Sequence, residues 1–199
     1  MFFKKEVNTE QELIKRCIAG SEKHCKELFE SYYGKLLNCC LRYSTNEDEA
    51  KDMLQEGFIR IFQNLSKFSF DGSFEGWLKR IVVNTAINYN KKYVYNSKIN
   101  YYDNDDIGYL EGQSVAVIIE ENALDKFYAQ DILSAIQSLS PIYRMVFNMA
   151  AIEGYSHKEI AEELSITEST SRSNLAKAKI KLIGLLEKKN EKKLVHEAV

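Results

Sequence analysis

The stretch EGYSHKEIAEELSITESTSRSNLAKAKIKL, residues 153–182, decides the fold of this chain. Ser156 followed by Glu159 is the spacing of a reciprocal capping box, and it opens a short helix with Ile160, Ala161 and Leu164 on its apolar side. Thr167 can cap a second, longer helix that carries Leu175, Ala178 and Leu182 and continues to Leu186. Two helices joined by the Leu164 to Thr167 turn predict a helix-turn-helix. Just upstream, Ser140 and Pro141 mark another helix start, because proline presets the backbone where a missing amide proton costs little. Met145, Val146, Phe147 and Met149 then supply a small core.

Charge gives the second of these helices a direction. Residues 170–193 hold Arg172, Lys177, Lys179, Lys181, Lys188, Lys189, Lys192 and Lys193 against only Glu187 and Glu191. In a helix-turn-helix the start of the second helix enters the major groove and later basic residues meet phosphates. Arg172 is the first base-contact candidate, since its guanidinium fork matches a guanine edge, with Ser173 and Lys177 weaker ones. Ser169, Thr170 and Asn174 are short polar candidates that serve equally as capping or solvated residues, and Lys179 belongs with the phosphate contacts.

Working outward, the remaining sequence is also helical in pattern. Thr9 and Glu12 read as a capping pair for a helix ended by Gly20, and Ser21 starts a longer one through Leu28, Leu36 and Cys40. Asn46 and Glu49 form a further capping box. Beyond it Met53, Leu54, Phe58, Ile61, Phe62 and Leu65 trace one face while Asp52, Gln55, Glu56 and Arg60 occupy the other. Phe68 to Phe74 is an aromatic-rich turn into a helix bearing Trp77, Leu78, Ile81, Val82, Ala86 and Ile87. The expected architecture is all-α: a helical domain over 1–92, an acidic linker over 93–120 and a second helical domain over 121–199, with a helical onset near Val115 to Tyr128.

Composition agrees and excludes other classes. One proline and nine glycines in 199 residues leave too little punctuation for a sandwich, a barrel or a glycine-looped βα enzyme. The 27 basic against 29 acidic residues sum to −2, but residues 93–136 hold two basic and eight acidic side chains, so an acidic centre masks basic ends. Cys17, Cys25, Cys39 and Cys40 lack metal-ligand spacing and read as small hydrophobes at helix seams in a reduced, cytoplasmic chain. No converging acid–base pair, metal motif or phosphate-binding loop is visible, so no cofactor and no enzymatic activity are expected.

Residues 153–182 resemble the promoter-binding C-terminal domain of bacterial extracytoplasmic-function sigma factors. DEAKDMLQEGFIRIFQNLSKF, residues 48–68, and GSFEGWLKRIVVNTAINYNKK, residues 72–92, resemble the N-terminal domain of the same family. The ordered pair is far more specific than either domain alone. The resemblance implies a dissociable subunit of core RNA polymerase that selects promoters, with an anti-sigma factor as a further partner; the lack of a run of 18 apolar residues leads to no membrane insertion being expected. It implies that Asp52, Gln55, Glu56 and Arg60 dock on the polymerase clamp. It also implies that Ser69, Phe70, Asp71, Gly72, Ser73, Lys79, Arg80, Asn84, Asn88, Lys91 and Lys92 meet the opened minus-ten element, with Phe74 and Trp77 as aromatic neighbours. Trp77 serves as readily in the core. At the minus-thirty-five element the sequence departs from the family: serines replace the usual glycines at 165 and 169, Ser171 replaces an apolar residue, and Asn174, Lys177 and Lys179 stand where arginines are frequent. Base preference therefore does not transfer. A two-domain regulator that binds duplex DNA without joining polymerase is the other reading.

Overall fold

A computed structural model of the chain describes the backbone of residues 3–100 and 123–197, and side chains over 10–91 and 129–189. Every regular element among the described residues is helical, as the apolar spacing requires. Residues Met1–Tyr89 and Asn90–Val199 form two compact units.

The first unit contains α1 (Phe3–Ile18), α2 (Glu22–Tyr43), α3 (Glu47–Asn64) and the start of α4 (Phe74–Asn100). α1 begins upstream of Thr9, so Thr9 lies inside the helix instead of capping it; no Gly or Pro stands between Phe3 and Thr9 to stop the helix there. Its far end is where the sequence placed it. Gly20 takes φ +83, its N–H donates to the Cys17 carbonyl (2.9 Å), and Ser21 N–H donates to that of Arg16 (3.1 Å). That pair of bonds is a Schellman closure, which needs the left-handed backbone a glycine gives freely.

α3 starts at Asn46, whose side chain accepts from Glu49 N–H at 2.9 Å. The returning arm of the box goes one residue further back, where the Glu49 carboxylate accepts from Thr45 N–H (2.9 Å) and Thr45 Oγ1 (2.7 Å). Leu28, Leu36, Met53, Leu54, Ile61, Leu78, Val82 and Ile87 fill the core. α3 packs against α4 at Gly57, where an added Cβ would stand 3.0 Å from Val82 Cγ2. α4 runs to Asn100, so residues 93–100 of the expected linker are helical. The rest of it, 101–120 with Asp103, Asp105 and Asp106, lies outside the described residues, as does the expected onset before Ala123.

The cysteines are free, and Cys17, Cys39 and Cys40 are buried. Burial, reinforced by neighbouring Cys25, pushes the Cys17 thiol up to about 12, and burial does the same to Cys40. Both therefore behave as packing groups and not as thiolates.

The second unit contains α5 (Ala123–Gln137), α6 (Pro141–Phe147), α7 (His157–Leu164) and α8 (Glu168–Glu197). α6 passes into a π turn at Asn148–Ile152. Ile142, Tyr143, Met145, Val146, Met149, Ile160, Leu164, Ala178 and Leu182 make its core. The Ser156–Glu159 box closes both ways: Glu159 N–H donates to Ser156 Oγ (3.2 Å) and Ser156 N–H to the Glu159 carboxylate (2.8 Å). Thr167 caps α8 by accepting from Thr170 N–H at 3.0 Å. Between the two helices Ser165 adopts φ +52, and Ile166 N–H returns to the Ala161 carbonyl at 3.0 Å. A serine thus occupies the left-handed position at which glycine is usual.

Candidate nucleic-acid interface

Three surfaces were expected from the sequence, and each has a definite local geometry. On α3, Asp52, Gln55 and Glu56 are exposed, and Arg60 is half-buried with its Nε 2.8 Å from a Glu56 carboxylate oxygen. The polar face exists because Ala50, Met53, Leu54, Gly57, Phe58 and Ile61 take up the opposite one. Ile59 was not singled out from the sequence. It is 46% exposed and follows Gln55 by one helical turn, so the polar row continues into an apolar one. Its place among Phe58, Ile61 and Phe62 hid it, and Phe62, expected on the packed face, is itself 37% exposed.

The second surface begins with the turn after α3. Phe68 is buried against Phe74 (centroids 5.0 Å apart) and Trp77 (5.5 Å), and the Phe74 and Trp77 rings stack at 5.9 Å. This aromatic block fixes both ends of the turn. Between them Ser69, Phe70, Asp71, Gly72 and Ser73 all face solvent. Phe70 stands at φ +62, a left-handed backbone that few bulky residues adopt, and Gly72 at φ +108. Ser73 ends the turn by capping α4, its Oγ accepting from Gly76 N–H at 3.1 Å. Trp77 is half-buried, so it belongs to the block that supports the turn.

Along α4 the expected residues separate into two sides. Arg80, Asn84 and Asn88 are exposed and recur every four residues, which places them in one row. Lys79 does not join them. Its ammonium pairs with Glu75 at 2.7 Å, and Glu75 also takes Lys35 of α2 at 2.6 Å. Hydrogen bonds first from Lys35 and then from Lys79 hold the Glu75 carboxyl below its ordinary range. Lys79 therefore works at the seam between α2 and α4. Lys91 is half-buried, and the side chain of Lys92 lies outside the described residues.

On α8, Ser169, Thr170 and Arg172 are exposed, while Ser173, Lys177 and Lys179 are partly so. The Arg172 side chain is 60% exposed and pairs with Glu168 one turn back at 2.8 Å, a surface pair that leaves the guanidinium accessible. Asn174 lies differently. It is only 7% exposed, on the inward stripe of Ser171, Ala178 and Leu182, so it cannot reach a base without α8 turning. Leu175, read from the sequence as core, is half-buried instead. The basic run is also partly structural: Lys189 bonds to Asp131 (3.3 Å) and Ser134 of α5, and Lys181 lies 5.1 Å from the Tyr143 ring centroid. The side chains of Lys192 and Lys193 are outside the described residues.

Two family models match the chain in order. Sigma-70 region 2 covers residues 28–93 and Sigma-70, region 4 covers residues 129–182. The ECF RNA polymerase sigma-E factor of Escherichia coli K12 is 31% identical over 176 residues, spanning 86% of this chain and 91% of that one. The chain belongs to the ECF RNA polymerase sigma factors. SigW of Bacillus subtilis, another ECF sigma factor, is 30% identical over 81% of this chain and 88% of its own. Among solved structures, the sigma factor RpoE of Bartonella quintana, co-crystallised with the anti-sigma factor NepR, aligns with 81% of this chain and 96% of its own at 19% identity and TM-score 0.44. In this ECF sigma factor the α3, turn and α4 surfaces fall within the region 2 match, and the start of α8 falls within the region 4 match. α8 itself runs on past residue 182 to Glu197.

No group of three or more His, Cys, Asp or Glu among the described residues is placed to hold a metal ion. None of the described helices is long and apolar enough to cross a membrane.

Proposed function

We propose that this chain binds bacterial core RNA polymerase in the cytoplasm, directs it to specific promoters and supports their opening. The ordered occurrence of regions 2 and 4, each presenting its own exposed polar surface, carries this reading. Residues 1–92 act as the docking and minus-ten domain, 93–120 as the tether and 121–199 as the minus-thirty-five domain. Asp52, Gln55, Glu56 and Arg60 meet the polymerase, and Ile59 adds apolar area beside them.

The exposed turn Ser69–Ser73 receives an unstacked base, with Phe70 as its aromatic surface. Arg80, Asn84 and Asn88 follow the strand beside it, continued by Lys91 and Lys92. Arg172 and Ser173 read duplex base edges, and Ser169, Thr170, Lys177 and Lys179 hold phosphates. Two weak DNA contacts on one chain reinforce each other once polymerase aligns them. Nucleotide addition remains the polymerase's chemistry. An anti-sigma factor that covers these same surfaces is the expected inhibitory partner.

Reconstitution tests the reading. Promoter-dependent RNA should appear from a genomic promoter library only when the protein joins core polymerase, and D52A/E56A should abolish assembly. A protein that binds duplex operators unaided and ignores core polymerase would instead be a conventional regulator.

A further inference from the structure

α7 and α8 meet at their N-terminal ends through polar side chains. Ser171 is 0% exposed, and its Oγ lies 2.9 Å from Nδ1 of His157, the first residue of α7. One turn along, buried Asn174 continues the same face. An apolar side chain at 171 would fill this seam with little dependence on the rotation of α8 about its own axis. A hydrogen bond is directional: it tolerates a few tenths of an ångström and weakens steeply as it bends. Side chains lie about 5–6 Å from a helix axis, so a rotation of about 20° carries their tips roughly 2 Å, more than a bidentate base contact survives. Arg172 and Ser173 immediately follow the pinned residue, so the pin acts where their aim is set.

We infer that the His157–Ser171 hydrogen bond is a positioning contact that fixes the rotation of α8 and thereby the base preference delivered by Arg172 and Ser173. It rests on the reading of α8 as the helix that enters the minus-thirty-five duplex. The charged groups acting on the ring are Arg172, Glu168 and Lys179, all on α8. Burial first, then Arg172, hold His157 below the ordinary imidazole range, with Glu168 opposing them. The seam is accordingly built for a neutral ring. A proton would set a cation against Arg172 and Lys179, so the contact weakens as pH falls through the folded value, which lies below the ordinary one of about 6.5. Asparagine at 157 can place its amide nitrogen near the position of Nδ1 and does not titrate.

The test uses full-length protein with core polymerase on promoters randomised across the minus-thirty-five element, sequencing the transcribed templates. S171V and H157F should flatten minus-thirty-five base preference at least about threefold while leaving minus-ten preference intact, and H157N should retain it. As pH is lowered from about 7.5 until the folded ring takes up its proton, below the ordinary value of about 6.5, the wild-type preference should decline and that of H157N should stay level. S171A, with thermal unfolding measured in parallel, guards against simple misfolding. Unchanged minus-thirty-five preference in S171V, S171A and H157F would overturn the inference while sparing the role of α8. Wild-type transcription indifferent to the minus-thirty-five sequence would overturn that role, and the inference with it.

Discussion

α4 and α8 are the two helices through which this sigma factor is proposed to meet DNA, and their N-terminal ends are held in different ways. α4 enters from an aromatic block, Phe68, Phe74 and Trp77, and its flank is tied to α2 by Lys35, Glu75 and Lys79. α8 enters through a polar cap and a polar seam, with Thr167 capping it and its own Ser171 bonded to His157 of α7. Apolar packing fixes where a helix lies but tolerates small rotations. Directional bonds fix rotation and contribute less stability. A helix that accompanies strand separation is served by the first device, and one that reads base edges in a rigid groove by the second.

The strongest way to break this contrast is Phe74→Ala. Phe74 is 2% exposed and packs on Phe68, Trp77 and Tyr32, the last with centroids 5.6 Å apart. Truncating a buried phenylalanine costs about 3–5 kcal/mol, a large share of the stability of a small domain. Calorimetry should show the first unit melting far earlier while the second keeps its transition. A shift shared equally by both would mean that the two are not stabilised separately.

Next comes a pair of substitutions on α8. Arg172→Ala should weaken minus-thirty-five binding by holoenzyme by about 1–3 kcal/mol and relax preference at one base position, read by anisotropy on matched duplexes. Asn174→Ala, one residue beyond Ser173 but facing inward, should leave base preference unchanged and act only on folding. If Asn174→Ala alters base preference as Arg172→Ala does, α8 sits in the groove with a different rotation.

Neighbouring residues Lys79 and Arg80 make the corresponding comparison on α4. Arg80→Ala should reduce minus-ten complex formation by about 1 kcal/mol and lower its salt dependence, because an exposed cation near a strand acts through counterion release. Lys79→Ala should leave the salt slope alone. Its ammonium is engaged with Glu75 in a half-exposed pair whose loss costs well under 1 kcal/mol after solvent screening.

These corrections show where the sequence was legible. Capping is local chemistry, so Ser156 with Glu159 and Thr167 could each be placed from a few neighbouring letters, and Pro141 marks the start of α6 although the Ser140 side chain makes no capping bond. The polar face of α3 followed from periodicity alone. Lys79 could not be placed that way, because its partner Glu75 is shared with Lys35, which is distant in sequence and adjacent only in the fold. The inward placement of Asn174 is hard to read from sequence for another reason. Ala178 and Leu182 set the phase of α8, and stepping back four and then three residues from Ala178 reaches Asn174 and Ser171, both polar. A reading keyed to apolar letters chose Leu175 instead, about 100° away.

The smallest effect tests whether the turn between α7 and α8 carries strain that the polar seam overcomes. Ser165 holds φ +52 at the end of α7, where a side chain costs about 1–2 kcal/mol relative to the ordinary region. Glycine removes that cost but raises the entropy of the unfolded chain by an equivalent of about 0.4–1 kcal/mol. Ser165→Gly should therefore stabilise the second unit by about 0.5 kcal/mol, visible as a small upward shift of its denaturant midpoint with unchanged slope. Because the turn geometry is kept, minus-thirty-five preference should not move. Greater stability together with an altered preference would mean that the left-handed serine, and not the His157–Ser171 contact, helps to set the rotation of α8.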